Sequence, residues 1–341
     1  MKIGSYSIYD QLSNYMNQDI STISQLQNEL SSGRKFSKNS DDVISVISAM
    51  DYNMELSQDN RYKSGIDSAT TLLSDASTAM SSTLDALNNA KEVALEGLNG
   101  TAGSSDRAAM AQQVYQIRDE LLGFANTKTA DGQSVFAGLK TNVSAFDPST
   151  YDYNGDSNVM NANISGSQLL PANVPGSTAF AYTLGGPVTA QQAGGTTVTY
   201  SMASYPPPAG DTTINVQITD SGGNVLDKFS FSNFMQLTGL LGDALNSNNT
   251  MRINALLTPF DDAIGQATSV SADIGARQNR LTAQENSIEN DTLNAQSLLS
   301  NVQDDDLAAT TTQLAKYQAI LQSIRETTAT SVSQSLLDFL K

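Results

Sequence analysis

The chain has 341 residues, with 35 acidic against 18 basic side chains and a formal net charge of −17. Cysteine, histidine and tryptophan are absent, which excludes a Ser-His-Asp triad, a thiolate nucleophile, a disulfide framework and a conventional zinc or haem site. The acidic balance argues against a nucleic-acid backbone or an anionic membrane as the main partner, since both call for basic clusters.

The start, Met1-Lys2-Ile3-Gly4-Ser5-Tyr6, lacks the apolar core of a secretory signal peptide, and no stretch of apolar residues is long enough to span a bilayer. The expectation is a cytosolic chain, or one exported by a route that cleaves nothing. The N-terminal arm then shows a heptad seam: Tyr9, Leu12, Met16, Asp19, Ile23, Leu26 and Leu30 alternate spacings of three and four, with Asp19 the polar break. Gly33 is placed to stop that helix in a left-handed C-cap. A second seam runs Ile66, Ala69, Leu73, Ala76, Met80, Thr83, Leu87, Ala90 and Ala94 and ends at Asn99-Gly100. A third, after Ser105-Asp106, runs Met110, Val114, Ile117, Leu121 and Phe124. Short polar turns between long helices predict antiparallel neighbours.

Proline then changes the grammar. The first 147 residues contain none, and seven of the eight fall between Pro148 and Pro208. Residues 141–235 also hold 10 of the 23 glycines, so long helices are excluded there. Thr196–Tyr200 and Thr213–Ile218 are rich in β-branched residues, and Asp220-Ser221-Gly222-Gly223-Asn224 supplies a turn before Val225, which predicts a hairpin. Asp152-Tyr153-Asn154-Gly155-Asp156 reads as an Asn-Gly turn rather than a metal site.

The C-terminal arm returns to helix. Thr258-Pro259 reads as N-cap and first helical residue, with Asp261 facing the helix dipole; the alternative places Pro259 inside a longer helix. Ile274, Leu281, Ile288, Ala295 and Val302 recur every seven residues, and Gly275 in mid-helix suggests a close backbone approach. Asp304-Asp305-Asp306 lacks the spaced oxygens of a calcium loop and reads as the start of the last helix. That helix carries the seam Leu307, Thr310, Leu314, Tyr317, Leu321, Ile324, Thr328 and Ser331, then Leu336 and Leu340.

The predicted architecture is therefore mainly α with an inserted β domain. Residues 1–40 and 303–341 are terminal coiled-coil segments, 41–140 and 236–302 a helical bundle, and 141–235 a β-rich domain. Apolar heptads at both extreme ends must be buried, because a single amphipathic helix of this length is marginal in water. Two readings follow. The ends pack on each other, or they pack on other subunits and stay loose until assembly. The assembly-seam residues are Leu12, Met16, Ile23, Leu26 and Leu30 against Leu314, Tyr317, Leu321 and Ile324. Carboxylates are numerous, but none sits in a context that marks an acid–base pair, and no enzyme, cofactor or metal site is expected.

The segment Leu30-Ser31-Ser32-Gly33-Arg34-Lys35-Phe36-Ser37-Lys38-Asn39-Ser40-Asp41-Asp42 resembles the N-terminal signature of the bacterial flagellin superfamily. Its usual prolines are replaced by Asn39 and Val43. Within that superfamily the chain resembles the hook-filament junction branch (FlgL, hook-associated protein 3). Phe124-Ala125-Asn126-Thr127 through Asp131-Gly132 to Val135-Phe136-Ala137-Gly138 is similar to that branch, as are Tyr153–Ser157 and Val174–Phe180. So are Gly275-Ala276-Arg277-Gln278-Asn279-Arg280-Leu281 and the ending Ser335-Leu336-Leu337-Asp338-Phe339-Leu340.

The resemblance implies an elongated, flagellin-like subunit in which paired terminal helices form an inner tube and residues 141–235 project outward. It implies export by the flagellar type III route without a cleaved signal peptide, and an extracellular place at the hook-filament junction. The implied partners are further copies of the chain, the hook-associated protein FlgK, flagellin and the export chaperone FlgN, with no nucleic acid and no membrane. Gly33, Arg34, Lys35, Ser40, Asp41 and Asp42 form the family-motif loop, and Gly275, Arg277, Asn279 and Arg280 the C-terminal motif. The basic residues Arg34, Lys35 and Lys38 facing Asp41 and Asp42 read either as an intersubunit latch or as solvated surface pairs of small energetic weight. A filament-forming flagellin is the alternative. A further alternative is a secreted binding module whose β domain, with Tyr151, Tyr153, Tyr182, Tyr200 and Tyr205, holds a glycan.

Overall fold

The computed structural model describes residues 2–36, 42–184, 188–191, 196–202 and 213–339. It forms two compact units, one from residues 1–61 and 288–341 and the other from 62–287. In chain order the elements are α1 (Lys2–Ser32), α2 (Val43–Gly97), α3 (Ser104–Ala125), β1 (Asn161–Ser165), β2 (Gln168–Pro171), α4 (Gly176–Ala179), β3 (Val188–Gln191), β4 (Thr197–Met202), β5 (Ile214–Thr219), β6 (Val225–Phe231), α5 (Phe234–Asn246), α6 (Thr250–Gln303) and α7 (Leu307–Phe339). The division between units falls within the continuous helices α2 and α6. The architecture is mainly α with an inserted β region, as the distribution of proline and glycine predicts.

In the larger unit the predicted seam of α2, from Ile66 to Ala94, is buried at every position. The one hydroxyl in it, that of Thr83, donates to the Ala79 carbonyl at 2.8 Å, so no polar group is stranded. The buried stripe of α3 differs from the expectation. It runs Arg107, Ala111, Val114, Ile117, Leu121 and Ala125, with Met110 and Phe124 at its half-buried edge. Arg107 starts it because its guanidinium serves the end of α2. Nε donates to Gly97 O at 2.6 Å and Nη2 to Asn99 O at 3.3 Å, while Nη1 donates to Asn248 Oδ1 at 2.7 Å. A cation at a helix C-terminus faces the carbonyls that lack intrahelical donors. Helix α5, buried on most of its surface, packs on α3, and Gly242 leaves room for the Tyr115 ring, where a Cβ would clash.

The β region is a four-stranded antiparallel sheet in the order β3-β4-β5-β6 and a separate β1-β2 pair. The hairpin of β5 and β6 closes as predicted. Asp220 Oδ1 accepts the N–H groups of Gly222 and Asn224, both at 2.8 Å, and Gly223 takes φ +82°. Val198, Tyr200, Ile214, Val216, Ile218 and Phe231 fill its inner face. Phe136, Phe146, Phe180 and Phe234 form an edge-packed aromatic cluster, with Phe180 at 5.0, 5.7 and 6.2 Å from the other three. Around Asn154-Gly155, Asp156 Oδ1 accepts the N–H of Leu139 and of Asn158 at 3.1 and 2.9 Å. The Leu139 bond in particular holds the Asp156 carboxyl below its ordinary pKa.

Pro259 overturns the first reading of the C-terminal arm. The helix begins at Thr250, where Asn249 Oδ1 accepts the Arg252 N–H at 3.0 Å, and Pro259 lies inside it. An interior proline has no N–H for the carbonyl four residues back, here Ala255, and such a residue costs a helix about 3 kcal/mol. The Ala255 carbonyl instead accepts the hydroxyl of Tyr200, from the inner face of β4, at 2.6 Å. Burial pushes the Tyr200 phenol up to about 12, so it stays a donor across the accessible pH range. One turn further, Tyr182 Oη donates to Asp262 Oδ2 at 2.6 Å, while Asp261 pairs with Lys91 of α2. Gly275 is a second correction: a Cβ there would meet nothing within 4 Å, so among the described residues no backbone approaches it.

Replacing Tyr200 by Phe strands the Ala255 carbonyl and is expected to cost about 1–3 kcal/mol in urea unfolding followed by tyrosine absorbance. In a Pro259→Ala background the alanine N–H can serve that carbonyl. The same Tyr200→Phe change should then cost less, and a double-mutant cycle reads the difference directly.

Candidate assembly surface

The smaller unit joins the two ends of the chain, with α1 packed on α7. The two helices meet, but the predicted seams are not closed. Leu26 is buried at 6% exposure, while Leu12, Met16, Asp19 and Ile23 are half-buried and Leu30 stands 37% exposed. On α7 Leu307 is exposed, Thr310 is buried, and Leu314, Tyr317, Leu321, Ile324 and Thr328 are all half-buried. The side chains of Tyr9, Ser331, Leu336 and Leu340 lie outside the described residues. Two helices alone can cover only the facing part of each stripe, so the margins of both remain open.

The register of the pair is set at its base. Gly33 takes φ +68° and its N–H donates to Glu29 O at 2.7 Å, which ends α1 in a left-handed cap. The next residues form a short antiparallel bridge to the segment between α6 and α7. Gly33 O accepts the Asp305 N–H and Gln303 O accepts the Lys35 N–H, both at 2.9 Å, with Arg34 paired to Asp304 across the bridge. Lys35 Nζ donates to Asn301 O at 2.8 Å. Gln303, its amide oxygen turned to Arg34, accepts from Nε and Nη1 at 3.0 and 3.1 Å.

The motif loop is thus divided by role. Arg34 and Lys35 serve this bridge, whereas Asp42 caps α2, accepting the Ser45 N–H at 3.1 Å and its hydroxyl at 2.6 Å. These Ser45 bonds hold the Asp42 carboxyl below its ordinary pKa. Lys38, Asn39, Ser40 and Asp41 lie outside the described residues. Asp306 does start α7, since its Oδ1 accepts the N–H groups of Ala308 and Ala309 at 3.1 Å.

A second apolar surface escapes the heptad reading. At the start of α2, Val43, Ile47, Met50 and Met54 recur at i, i+4, i+7 and i+11 and are 55–64% exposed, with Ile44 beside them at 79%. On the opposite face Ala49, Tyr52, Leu56 and Asp59 turn inward. This stretch is apolar on two faces, and among the described residues only one is covered. The spacing was present in the sequence, but the seam reading of α2 began at Ile66 and so passed over it.

The C-terminal motif lies in the other unit and is taken up internally. Arg277 Nη1 donates to Asn173 O at 2.9 Å and Nη2 pairs with Asp273 at 2.6 Å, while Asn279 and Arg280 are exposed. Of the tyrosines considered for ligand binding, Tyr182 and Tyr200 belong to the core and Tyr205 lies outside the described residues. Among the described residues no group of three His, Cys, Asp or Glu could hold a metal ion, and no helix is long and apolar enough to cross a membrane.

Two family profiles match this chain. Residues 3–141 match the bacterial flagellin N-terminal helical region, and residues 257–340 the bacterial flagellin C-terminal helical region, together about two thirds of the sequence. The chain belongs to the bacterial flagellin family. Within that family it is 29% identical over 155 residues to flagellar hook-associated protein 3 of Salmonella typhimurium, covering 46% of this chain and 49% of that protein. The Escherichia coli K12 protein of the same name is 29% identical over 142 residues, or 42% and 45% of the two chains. A flagellin of Clostridium tyrobutyricum is 25% identical over 128 residues, 38% of this chain and 34% of that flagellin. The matches thus span about half the length of the curated hook-associated relatives.

Two solved structures from Legionella pneumophila share the fold. Flagellar hook-associated protein 3 superposes with TM-score 0.58 at 18% identity over 74% of this chain and 98% of that one. The flagellar junction protein FlgL gives 0.55 at 18% identity over 75% and 100%.

Asp59 provides a pH test of this unit. It is buried, with Thr292 Oγ1 at 3.5 Å, and burial, aided by the nearby Asp291, pushes its carboxyl above the ordinary value. A raised folded pKa means that the protonated form stabilises the fold, and that this stability is lost as pH rises through the folded pKa. Asp59→Asn should therefore raise the melting temperature at pH 7. The gain should shrink to nothing as the pH falls below the ordinary carboxylate range, in a thermal melt repeated across pH 3–8.

Proposed function

We propose that this chain is a structural subunit of the bacterial flagellum that sits at the hook-filament junction, where flagellin polymerises on it. The half-open seam between α1 and α7 carries the reading. It is a paired surface, held in register by the Arg34–Asp304 bridge, whose burial neighbouring copies would complete. Each half-covered leucine or isoleucine that becomes fully buried adds about 1 kcal/mol. That sum makes the pair marginal alone and firm in an assembly.

In this reading Leu12, Met16, Ile23, Leu26 and Leu30 with Leu314, Tyr317, Leu321 and Ile324 line an inner tube made by residues 1–40 and 303–341. Residues 41–140 and 236–302 form the surrounding bundle, and 141–235 the outer domain. Further copies of the chain, FlgK, flagellin and the export chaperone FlgN are the partners, and the flagellum outside the cell is its place. The higher identity to the two hook-associated proteins than to the flagellin favours the junction over the filament. No catalytic step is part of this role.

Cells lacking the gene should carry hooks without filaments and release monomeric flagellin into the medium, where it is measured while the cells are imaged. Filament loss without released flagellin would instead identify a filament subunit, and normal filaments would overturn both flagellar readings. Leu26→Asp and Leu321→Asp should each reproduce the deletion phenotype and leave the tyrosine-reported unfolding of residues 62–287 unchanged.

A further inference from the structure

The sequence holds two Asn-Gly pairs, and the fold surrounds them differently. Asn99-Gly100 lies in the turn between α2 and α3, and Asn154-Gly155 in the loop that precedes β1. Both asparagines are exposed. In such a pair the glycine nitrogen can attack the asparagine side-chain amide, because no side chain on glycine shields its N–H. The attack needs two things: a peptide N–H that gives up its proton, and an amide carbonyl polarised to receive the nitrogen.

At Asn99 both are supplied. Its Oδ1 accepts the N–H of Thr101 at 3.2 Å and the Thr101 hydroxyl at 3.0 Å, so the side chain folds back on the peptide that follows it. Two donors on this oxygen stabilise the negative charge it gains as Cγ is attacked. The main-chain carbonyl of Asn99 shares a peptide unit with the Gly100 N–H. That carbonyl accepts the Ala102 N–H at 3.0 Å and Nη2 of Arg107 at 3.3 Å. A guanidinium and an amide on it favour the deprotonated peptide, whose charge rests largely on oxygen. The Gly100 N–H has no acceptor among the described residues, and a Cβ on Gly100 would meet nothing within 4 Å.

At Asn154 these aids are missing. Among the described residues no donor reaches its side-chain or main-chain oxygen. Its own N–H is held by Ala145 O at 2.8 Å, and a Cβ on Gly155 would clash with the Tyr153 ring and the Ala137 carbonyl.

We propose that Asn99 is a self-modifying site, deamidated by the peptide nitrogen of Gly100, with Thr101 and Arg107 as the activating groups. Gly100 N forms a bond to Asn99 Cγ and loses its proton to solvent base. The Cγ–Nδ2 bond breaks, and ammonia leaves with a proton from water. Water then opens the cyclic imide at either carbonyl, which leaves aspartate or isoaspartate in place of Asn99. Solvent is the one co-reactant, and nothing is oxidised or reduced. Either product adds a negative charge at the end of α2, and isoaspartate also reroutes the carbonyl that Ala102 and Arg107 now share. The site lies wholly within residues 62–287 and is independent of assembly.

The test incubates the full-length protein at mildly alkaline pH and follows aspartate and isoaspartate at both positions by peptide mass spectrometry. In the folded protein Asn99 should convert about tenfold faster than Asn154, or more. In urea the donors are lost, and the ratio of the two rates should fall towards one. Thr101→Val keeps the main-chain N–H on an exposed turn and removes the hydroxyl. It should slow Asn99 by about threefold or more and leave Asn154 and the melting temperature unchanged. Conversion of Asn99 no faster than Asn154 overturns the proposal, as does an unchanged rate in Thr101→Val. A ratio that persists in urea assigns the difference to neighbouring sequence and overturns it too.

Discussion

A single hydrogen bond offsets the proline inside the longest returning helix of this chain. Helix α6 runs for 54 residues with a proline inside it, and the carbonyl that the proline leaves without a donor is buried. The phenol of Tyr200 supplies the missing proton from the inner face of the sheet. Tyr182 fastens the next turn through Asp262, and Gln266 holds the main chain of Thr178 and Ala181. The β insert therefore completes the helix on which it rests. Without it, the carbonyl four residues before Pro259 would be buried with no donor.

From Gln303 the chain turns into the bridge that sets α1 against α7, and there a different rule operates. In the larger unit the buried hydroxyl of Thr83 is satisfied and the inner α2 stripe is closed. In the smaller unit the seams are left half-open, and the first turns of α2 show a bare stripe of valine, isoleucine and methionine. The short bridge at residues 33–35 and 303–305 registers the two ends without covering the seam.

The heptads of α1, the inner seam of α2 and the repeat of α6 were legible because helix periodicity is local and a buried stripe repeats along one element. The hairpin of β5 and β6 was legible from Asp220 to Asn224 for the same reason. The reading of Pro259 as a helix start failed because it weighed the lost N–H without a donor from elsewhere, and that donor comes from a residue 59 positions earlier in the sequence. Gly275 suggested a close approach that the fold does not make, since a glycine's cost says nothing of what lies beside it. Arg107 gave no signal at all. Its role rests on carbonyls brought near by folding.

What the sequence by itself determined was the order of helix and strand, the arms at both ends, and the stripes that each arm must bury. These follow from residue spacing along one element, which no distant contact alters. Tertiary structure alone decided how far each stripe is covered, which donor serves the carbonyl before Pro259, and that Arg34 and Lys35 face the C-terminal segment rather than Asp42. Each depends on groups far apart in the chain that meet at hydrogen-bond distance, and no periodicity along the chain records such a meeting.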